Sequence, residues 1–361
     1  MKPIFTVASL QVTPYSLMIF AGALMGVLLS VRKKEIRPLL PGVILGAIIM
    51  GHILWTMFCS DAYYEGSSRL LLALQPWKGG YTLYGAIFGG ALAGLIGAKL
   101  LKVNGLDVLD ALAPGACAVL MMGRLGEYFT DQGFGEVVEE GQEFFPLAYC
   151  TYQDEYYQEW HYAIWFWEAV VALILLILLL TRAKKALRGE QILLFAVGLS
   201  CSQMVLEQMR RDDFVCVTIF IRVTQLAALA TLIGILVFQF FRYPSSALWK
   251  GLSFASLTAG ALAVMCVEFA FDKPQFYIFL YLSMAATALL LSILLWKRYG
   301  VAGWLKGSPL WLLILVLTGI HIARQEEDLT TLLYIMMAAA SAAMGATVYL
   351  NHFGGKERQT V

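Results

Sequence analysis

The chain has 361 residues, of which 60% are apolar and only 14% are charged. Soluble domains carry roughly 45–50% apolar and about 25% charged residues, so this composition excludes an ordinary soluble domain. The formal net charge of +1 gives no reason to expect nucleic acid as a partner.

Long apolar runs recur along the whole chain. A helix needs about 20 mainly apolar residues to cross a bilayer, and its backbone groups must be satisfied within the segment. The sequence therefore predicts an all-α, polytopic membrane helix bundle of about eleven transmembrane helices. The predicted spans are Tyr15–Val31, Leu39–Cys59, Gly80–Leu101, Leu109–Phe129, Trp160–Thr181, Gln191–Met209, Ile219–Phe241, Leu252–Phe271, Phe276–Trp296, Pro309–Ile322 and Leu332–Leu350.

The distribution of Lys and Arg predicts the orientation, because basic loops stay on the cytoplasmic side. Basic residues cluster in alternate loops, whereas the segment Gly126–Trp160 has none and holds nine carboxylates. This segment is predicted to lie outside, which places the N-terminus outside and the C-terminus inside. The basic loops are Arg32–Arg37, Lys99–Lys102, Arg182–Arg188, Arg242–Lys250, Lys297–Lys306 and Lys356–Arg358.

The six cysteines show no Cys-x-x-Cys pair and no Cys/His spacing typical of a metal site, so no metal is expected. Cys59, Cys150 and Cys216 fall near the predicted outer face. They either pair there or serve as small apolar helix residues.

Polar residues inside the predicted spans gather toward the outer face. A charged group within a spanning helix costs about 2.5–3.5 kcal/mol on insertion scales, so each such residue needs a partner or a function. Two interpretations stay open: ion pairs at helix ends that only tie the bundle together, or one polar site built from five helices. The residues concerned are Tyr15, Tyr84, Arg124, Glu127, Glu168, Gln203, Glu207 and Arg210.

Other polar residues and the glycines have simpler interpretations. His52 and His321 are predicted to hydrogen-bond a neighbouring helix, with a role in chemistry as the alternative. Arg222 is expected either to extend toward the headgroups or to anchor a lipid phosphate. The glycines between Gly79 and Gly97 predict close helix packing, with the approach of a lipid headgroup as the alternative.

Several of these segments match motifs of one family, in chain order. The stretch Gly123–Gly135 reads GRLGEYFTDQGFG and resembles G-R-x-G-N-F-x-N-x-E-x-x-G, a signature of the prolipoprotein diacylglyceryl transferases. The resemblance covers Tyr15–Phe241 and predicts a seven-helix domain over residues 1–245, followed by a four-helix membrane extension of unknown role over residues 246–361. The other matching segments are Pro14–Leu17, Gly79–Ala86, Phe166–Glu168, Arg188–Asp212 and Thr224–Leu226.

The resemblance implies a multi-pass enzyme of the bacterial plasma membrane. Such an enzyme moves diacylglyceryl from phosphatidylglycerol to the lipobox cysteine of a secreted precursor protein, within membrane lipid and without a cofactor. For such a reaction, side-chain chemistry makes Arg124 the first candidate to bind the phosphate and Arg210 the second. Glu127 is expected to act as general base, Tyr84 to donate a hydrogen bond, and Glu207 to orient Arg124 or Arg210. Substrate-binding roles are expected for Tyr15, Gly126, Gln132, Gly135, Glu168, Gln203 and Arg210.

Four positions depart from the family pattern. Tyr84 stands for a histidine, Glu127 for an asparagine, Gln132 for a glutamate and Gln203 for an arginine. These replacements leave open a relative with altered or lost transferase activity. A transporter is a further alternative, although transporters more often show internal repeats, and this sequence shows no convincing one.

Overall fold

The computed structural model describes residues 5–7, 10–31, 33–58, 72–75, 80–130, 132–138, 141–153, 157–211, 222–324 and 330–353. Within these ranges the chain is an all-α, polytopic membrane protein. Nine helices are long and apolar enough to cross a bilayer, and Pro14–Ser30 is a shorter apolar helix. In chain order the helices are α1 (Pro14–Ser30), α2 (Leu40–Phe58), α3 (Leu83–Leu100), α4 (Gly105–Glu127), α5 (Ile164–Arg182), α6 (Glu190–Met209), α7 (Val223–Arg242), α8 (Ala247–Asp272), α9 (Tyr277–Ala323) and α10 (Thr330–Phe353).

The difference between ten observed helices and about eleven predicted ones arises in α9. This helix has 47 residues, but Gly300 interrupts it with φ 64° and ψ −158°. The predicted spans Phe276–Trp296 and Pro309–Ile322 lie on either side of that break. The apolar pattern located both segments and could not show that one element contains them.

Capping residues explain where two helices begin. Thr82 accepts a hydrogen bond from the Gly85 N–H, and Asn104 accepts one from the Leu106 N–H. Side-chain acceptors of this kind satisfy amides that have no partner in the first helical turn. Consequently α3 begins later than hydropathy predicts, and α4 begins earlier.

Two short antiparallel hairpins are absent from the all-α prediction. β1 (Phe5–Val7) pairs with β2 (Leu10–Val12), and β3 (Ala148–Gln153) pairs with β4 (Gln158–Tyr162). The predicted start of the fifth span at Trp160 is therefore wrong, because this residue belongs to β4. Aromatic residues and threonine suit a half-buried strand as well as they suit a membrane interface.

The described residues fall in two compact units. One comprises Met1–Phe195 with Met209–Cys216, and the other comprises Ala196–Gln208 with Val217–Val361. The first unit packs α1 on α4, α2 on α3 and α4 on α5. In the second unit α8, α9 and α10 pack on one another, and α7 packs on α10. The division at residue 245 that the family pattern implies remains a prediction.

Glycines allow α2 and α3 to approach closely. A Cβ atom built on Gly89 would lie only 2.2 Å from the Gly46 carbonyl oxygen, and one built on Gly46 would lie 2.7 Å from the Gly89 oxygen. No other residue type fits at this separation. The prediction that the glycine pattern serves close helix packing is confirmed at this contact.

Candidate functional site

Four charged side chains of the first unit form a closed ring of alternating sign. Arg124 Nη1 lies 2.5 Å from Glu127 Oε1, and Arg124 Nε lies 3.2 Å from Glu168 Oε2. Arg210 Nη1 lies 2.8 Å from the same Glu168 oxygen, and Arg210 Nη2 lies 3.4 Å from Glu127 Oε2. We call these four residues the charge ring. Two guanidinium groups and two carboxylates give it a formal charge of zero.

Burial divides the ring into an inner and an outer half. The Arg210 and Glu168 side chains are 0% and 2% exposed, whereas those of Arg124 and Glu127 are 11% and 8% exposed. Arg124 and Glu127 are therefore the members of the ring that are more accessible from outside. The inner pair has the burial expected of groups that hold the others in place.

Two helices, α4 and α5, and the chain after α6 supply the ring. Arg124 and Glu127 lie three residues apart in α4, which places them on one face. Glu168 lies in the second turn of α5, and Arg210 follows Met209 at the end of α6. The next residue fixes this end, because the Arg211 N–H donates to the Phe134 oxygen at 2.9 Å.

The loop that follows α4 closes over the ring. Gly133 has φ 77°, a backbone conformation that residues with a Cβ rarely adopt. A Cβ atom there would lie 2.5 Å from Glu127 Oε2 and 2.7 Å from Trp165 Cβ. The Gly133 oxygen also accepts the Trp165 N–H at 2.8 Å. Both backbone shape and close approach therefore require glycine beside the Glu127 carboxylate.

Tyr15 of α1 lies against the same corner of the site. A Cβ atom built on Gly126 would lie 3.0 Å from Tyr15 Cδ2 and 3.0 Å from Met18 Cβ. The Tyr15 phenol interacts electrostatically with Glu127, Arg124 and Arg210. The predicted residues Tyr15, Gly126, Arg124, Glu127, Glu168 and Arg210 are thus brought together in one unit.

The remaining predicted residues of the first unit take other positions. Gly135 is buried, and its N–H donates to the Tyr162 oxygen at 2.9 Å, so it holds the loop against β4. Gln132 is exposed, and its backbone N–H donates to Thr130 Oγ1. Tyr84 lies in the first turn of α3 and is half-buried.

Gln203 and Glu207 belong to the second unit, where both are buried. Glu207 Oε1 lies 3.8 Å from Arg222 Nη1. Arg222 is itself buried, so it pairs with an acid inside the protein and does not extend freely toward the headgroups. Glu207 was expected to orient Arg124 or Arg210, and its partner in this unit is Arg222.

Sequence reasoning missed two buried polar residues of the second unit. Glu268 of α8 accepts a hydrogen bond from Gln225 Nε2 at 2.5 Å, and both side chains are buried. The signal was present, since Glu268 is an acid within the predicted span Leu252–Phe271. In the first unit, Asp110 is a similar omission, and its carboxylate accepts the Gly189 and Ile192 N–H groups at the start of α6.

The two helix histidines have structural partners. The ring nitrogens of His52 lie 3.0 Å from the Gly80 oxygen and 2.8 Å from the Leu72 oxygen. His321 Nδ1 lies 2.9 Å from the Tyr281 hydroxyl. Both histidines are hydrogen-bonded as predicted, but Gly80 precedes α3, and Tyr281 belongs to α9 itself, on the other side of the Gly300 break. Cys150 is a free thiol, whereas Cys59 and Cys216 lie outside the described residues.

Comparison with known proteins matches the part of the chain that contains the ring. The family model described as prolipoprotein diacylglyceryl transferase matches residues 2–241. A phosphatidylglycerol–prolipoprotein diacylglyceryl transferase of Acaryochloris marina is 28% identical over 246 residues, which are 64% of this chain and 86% of that protein.

Two bacterial relatives with the same name are similar at the same level. The protein of Bacillus velezensis is 25% identical over 252 residues, or 66% of this chain and 90% of its own length. The protein of Tropheryma whipplei is 27% identical over 221 residues, or 57% and 80%. The chain continues beyond the matched region for more than a hundred residues. On this evidence, the chain belongs to the prolipoprotein diacylglyceryl transferase family.

Proposed function

We propose that this chain transfers diacylglyceryl from phosphatidylglycerol to the lipobox cysteine of prolipoproteins, at the outer side of the bacterial plasma membrane. The names of the relatives given above state these substrates for those proteins. The charge ring carries the proposal here, because it places two arginines and two carboxylates at one buried point of the family region. The positive-inside pattern supports the outward-facing orientation.

Arg124 is the proposed phosphate ligand. A guanidinium group matches two phosphate oxygens at once and keeps its charge. Arg124 is the more exposed of the two ring arginines, so a headgroup reaches it first. Arg210 and Glu168 then act as positioning residues, since their buried pair holds the inner side of the ring.

Glu127 is the proposed general base. A thiol is nucleophilic only as the thiolate, so its proton has to be accepted within the site. The sulfur then bonds to the carbon of the diacylglyceryl unit that bears the phosphate. The bond from that carbon to the phosphate oxygen breaks, and glycerol phosphate leaves with the electron pair. The products are a thioether on the precursor and glycerol phosphate.

The charge of the ring changes in step with this reaction. The ring is neutral while both carboxylates are ionised, and it becomes +1 when Glu127 takes the thiol proton. At that moment the leaving phosphate gains negative charge beside Arg124. A cation that is already positioned where negative charge develops stabilises the transition state without further reorganisation of the site.

One observation favours a second candidate, a relative with altered or lost transferase activity. Glu127 occupies the position of a neutral asparagine in the family pattern, and its carboxylate lies 2.5 Å from Arg124. The carboxylate therefore competes with phosphate for the same guanidinium group. Under this alternative the two groups form a permanent ion pair.

The test uses the purified full chain with phosphatidylglycerol and a cysteine-containing lipobox peptide. Mass spectrometry should detect a diacylglyceryl adduct on the peptide cysteine. Arg124→Ala should lower the rate of adduct formation by roughly 10²-fold or more, the scale of losing a charge-stabilising donor. Arg211→Ala is the matched control, because Arg211 lies on the surface and pairs with Glu136.

Two outcomes decide between the candidates. An adduct that forms with the wild-type chain and the control, and falls in Arg124→Ala, supports the transferase. If folded wild-type protein produces no adduct with several lipobox peptides, the chain is a relative without this activity.

A further inference from the structure

A second polar site lies in the second unit, where the family match ends and the chain extends past it. A cavity of about 340 Å³ opens where α7 ends and α8 begins. Lys297 and Arg298 of α9, just before the break at Gly300, and Asn351 of α10 complete its wall. The volume is in the range of pockets that hold small ligands.

The charge of this cavity is one-sided. Lys297 and Arg298 both line it, and no Asp or Glu does so among the described residues. A third cation lies beside it, because the Lys250 ammonium sits 5.7 Å from the centre of the Phe240 ring, which also lines the cavity. A lining that carries cations of one sign favours an anion.

Gln239 gives an independent indication of a ligand. Its side chain is 3% exposed and lines the cavity. Neither its amide nitrogen nor its amide oxygen has a hydrogen-bond partner among the described residues. A buried polar group without a partner costs about 1–3 kcal/mol, so its retention here points to a bound molecule that both donates and accepts.

The start of α8 adds backbone donors. Ser246 caps this 26-residue helix by accepting the Trp249 N–H, and Ser245 and Ser246 both line the cavity. The first amides of a helix lack acceptors within the helix and carry partial positive charge, a combination that binds phosphate. The Ser245 hydroxyl, also without a partner among the described residues, is a further donor.

The wall around these groups is already hydrogen-bonded. Trp249 Nε1 donates to Asn351 Oδ1 at 2.8 Å, and Asn351 Nδ2 donates to Ser253 Oγ at 3.0 Å. These bonds fix α8 against α10. The site is therefore preformed, and the polar atoms of Gln239 and Ser245 remain to meet a ligand.

We propose that this cavity binds a phosphate ester that carries a hydroxylated head, with Lys297, Arg298 and the start of α8 on the phosphate and Gln239 on the hydroxyl groups. The ligand reaches it as a phospholipid headgroup or as a soluble phosphate ester. Strongly exposed apolar side chains adjoin lining residues in the chain, among them Phe241, 88% exposed, and Leu248, and they favour the lipid source. The site is independent of the charge ring and of the proposed transferase reaction.

Native mass spectrometry of the full chain in detergent tests the proposal with three probes. These are phosphatidylglycerol, diacylglycerol, which lacks the phosphate, and soluble glycerol phosphate. The double variant Lys297→Gln/Arg298→Gln should bind one of the two phosphate-bearing probes, phosphatidylglycerol or glycerol phosphate, about tenfold or more weakly than the wild type. Lys184→Gln with Lys185→Gln is the matched control, since it removes two exposed basic residues from the first unit.

Two further variants separate lost binding from lost folding. Arg298→Lys keeps the charge and should retain most of the binding. Gln239→Leu should weaken binding of both hydroxylated probes while it leaves the protein folded, because it replaces a side chain that has no hydrogen bond to lose among the described residues.

The probes also identify the source of the ligand. If the Lys297/Arg298 variant loses binding of phosphatidylglycerol alone, the cavity is a lipid site. If it loses binding of glycerol phosphate alone, the ligand is a soluble phosphate ester. Equal binding of both probes by the wild type, the Lys297/Arg298 variant and the Lys184/Lys185 control would overturn the proposal. So would equal retention of diacylglycerol and phosphatidylglycerol at this site.

Discussion

The charge ring of the first unit and the cavity of the second unit use cations in opposite ways. In the ring, Arg124 and Arg210 are matched by two carboxylates at distances between 2.5 and 3.4 Å. The lining of the cavity includes Lys297 and Arg298 and, among the described residues, no Asp or Glu. Buried charges are stable when they are paired, and the four charges of the ring pair with one another.

This difference separates the proposed reaction site from the proposed binding site. A neutral ring changes charge by moving one proton, which suits general-base chemistry. A cationic cavity keeps its charge and stays attractive to an anion, which suits retention of a ligand. Changes to the ring should therefore affect rate and stability, whereas changes to the cavity should affect occupancy.

The largest expected effect is on the rate, through Glu127→Gln. The amide keeps the size of the side chain and cannot accept the thiol proton. Since general-base catalysis typically contributes about 10²–10⁴-fold, we expect adduct formation in the lipobox assay to fall by a factor in this range. Glu136→Gln, at an exposed glutamate paired with Arg211, is the control and should leave the rate unchanged.

Glu127→Asn tests the alternative at the same position. It restores the residue that the family pattern has there. A variant that is faster than the wild type would contradict the role of Glu127 as base and would show that the carboxylate obstructs Arg124.

The next effect is on stability, through Arg210→Ala. This change leaves Glu168 buried and removes its 2.8 Å partner. Breaking a buried ion pair by removing one member costs about 3–5 kcal/mol in the free energy of unfolding. The adjacent Arg211→Ala removes a partly exposed pair, which should cost about 0–1 kcal/mol.

Denaturant titration of the detergent-solubilised chain measures both variants. Similar losses at positions 210 and 211 would show that the ring does not depend on the buried arginine. In that case water would have to take the place of the Arg210 guanidinium group beside Glu168.

The sequence predicted the members of the ring better than their bonds. Spacing along α4 places Arg124 and Glu127 on one face, and hydropathy locates Glu168 inside a span. The pairing of Arg210 with Glu168 joins positions 42 residues apart, and a single sequence carries no local signal for it. For the same reason Glu207 was expected to orient Arg124 or Arg210, while its described ion pair is with Arg222.

Helix positions were predictable for a physical reason that does not extend to their connections. Apolar length reports membrane crossing directly. By contrast, the strand at Gln158–Tyr162 and the break at Gly300 depend on local hydrogen bonding and backbone angles. The cavity was beyond prediction, because α7, α8, α9 and α10 bring its residues together only in the folded chain.

A smaller effect is expected from Gln225→Leu in the second unit. The change removes the donor that lies 2.5 Å from the buried Glu268 carboxylate. Leaving one member of a buried hydrogen bond unsatisfied costs about 1–3 kcal/mol, which the same denaturant titration measures.

A double variant sharpens this result. In Gln225→Leu with Glu268→Leu both polar groups are gone, so the loss should be smaller than in the single variant. Additive losses would mean that the two side chains act separately, despite the short distance between them.

The smallest expected effect is a pH dependence at the hairpin of β3 and β4. Burial lowers the pKa of His161 below its ordinary value, and the nearby Glu159 carboxylate opposes this shift. His161 Nδ1 lies 2.8 Å from the Thr151 hydroxyl, and the His161 ring packs edge-on against Phe134. Above pH of about 6.5, His161 is neutral in both the folded and the unfolded hairpin and contributes no pH dependence.

As the pH falls through that value, the unfolded segment takes up a proton that the folded hairpin does not yet bind, so the folded hairpin loses stability. Hydrogen–deuterium exchange over β3 and β4, corrected for intrinsic rates, should therefore show weaker protection at pH 5.5 than at pH 7.5. In His161→Gln the difference should disappear. If protection instead increases on acidification and the variant abolishes the increase, attraction between the protonated imidazole and Glu159 outweighs the cost of burying the charge.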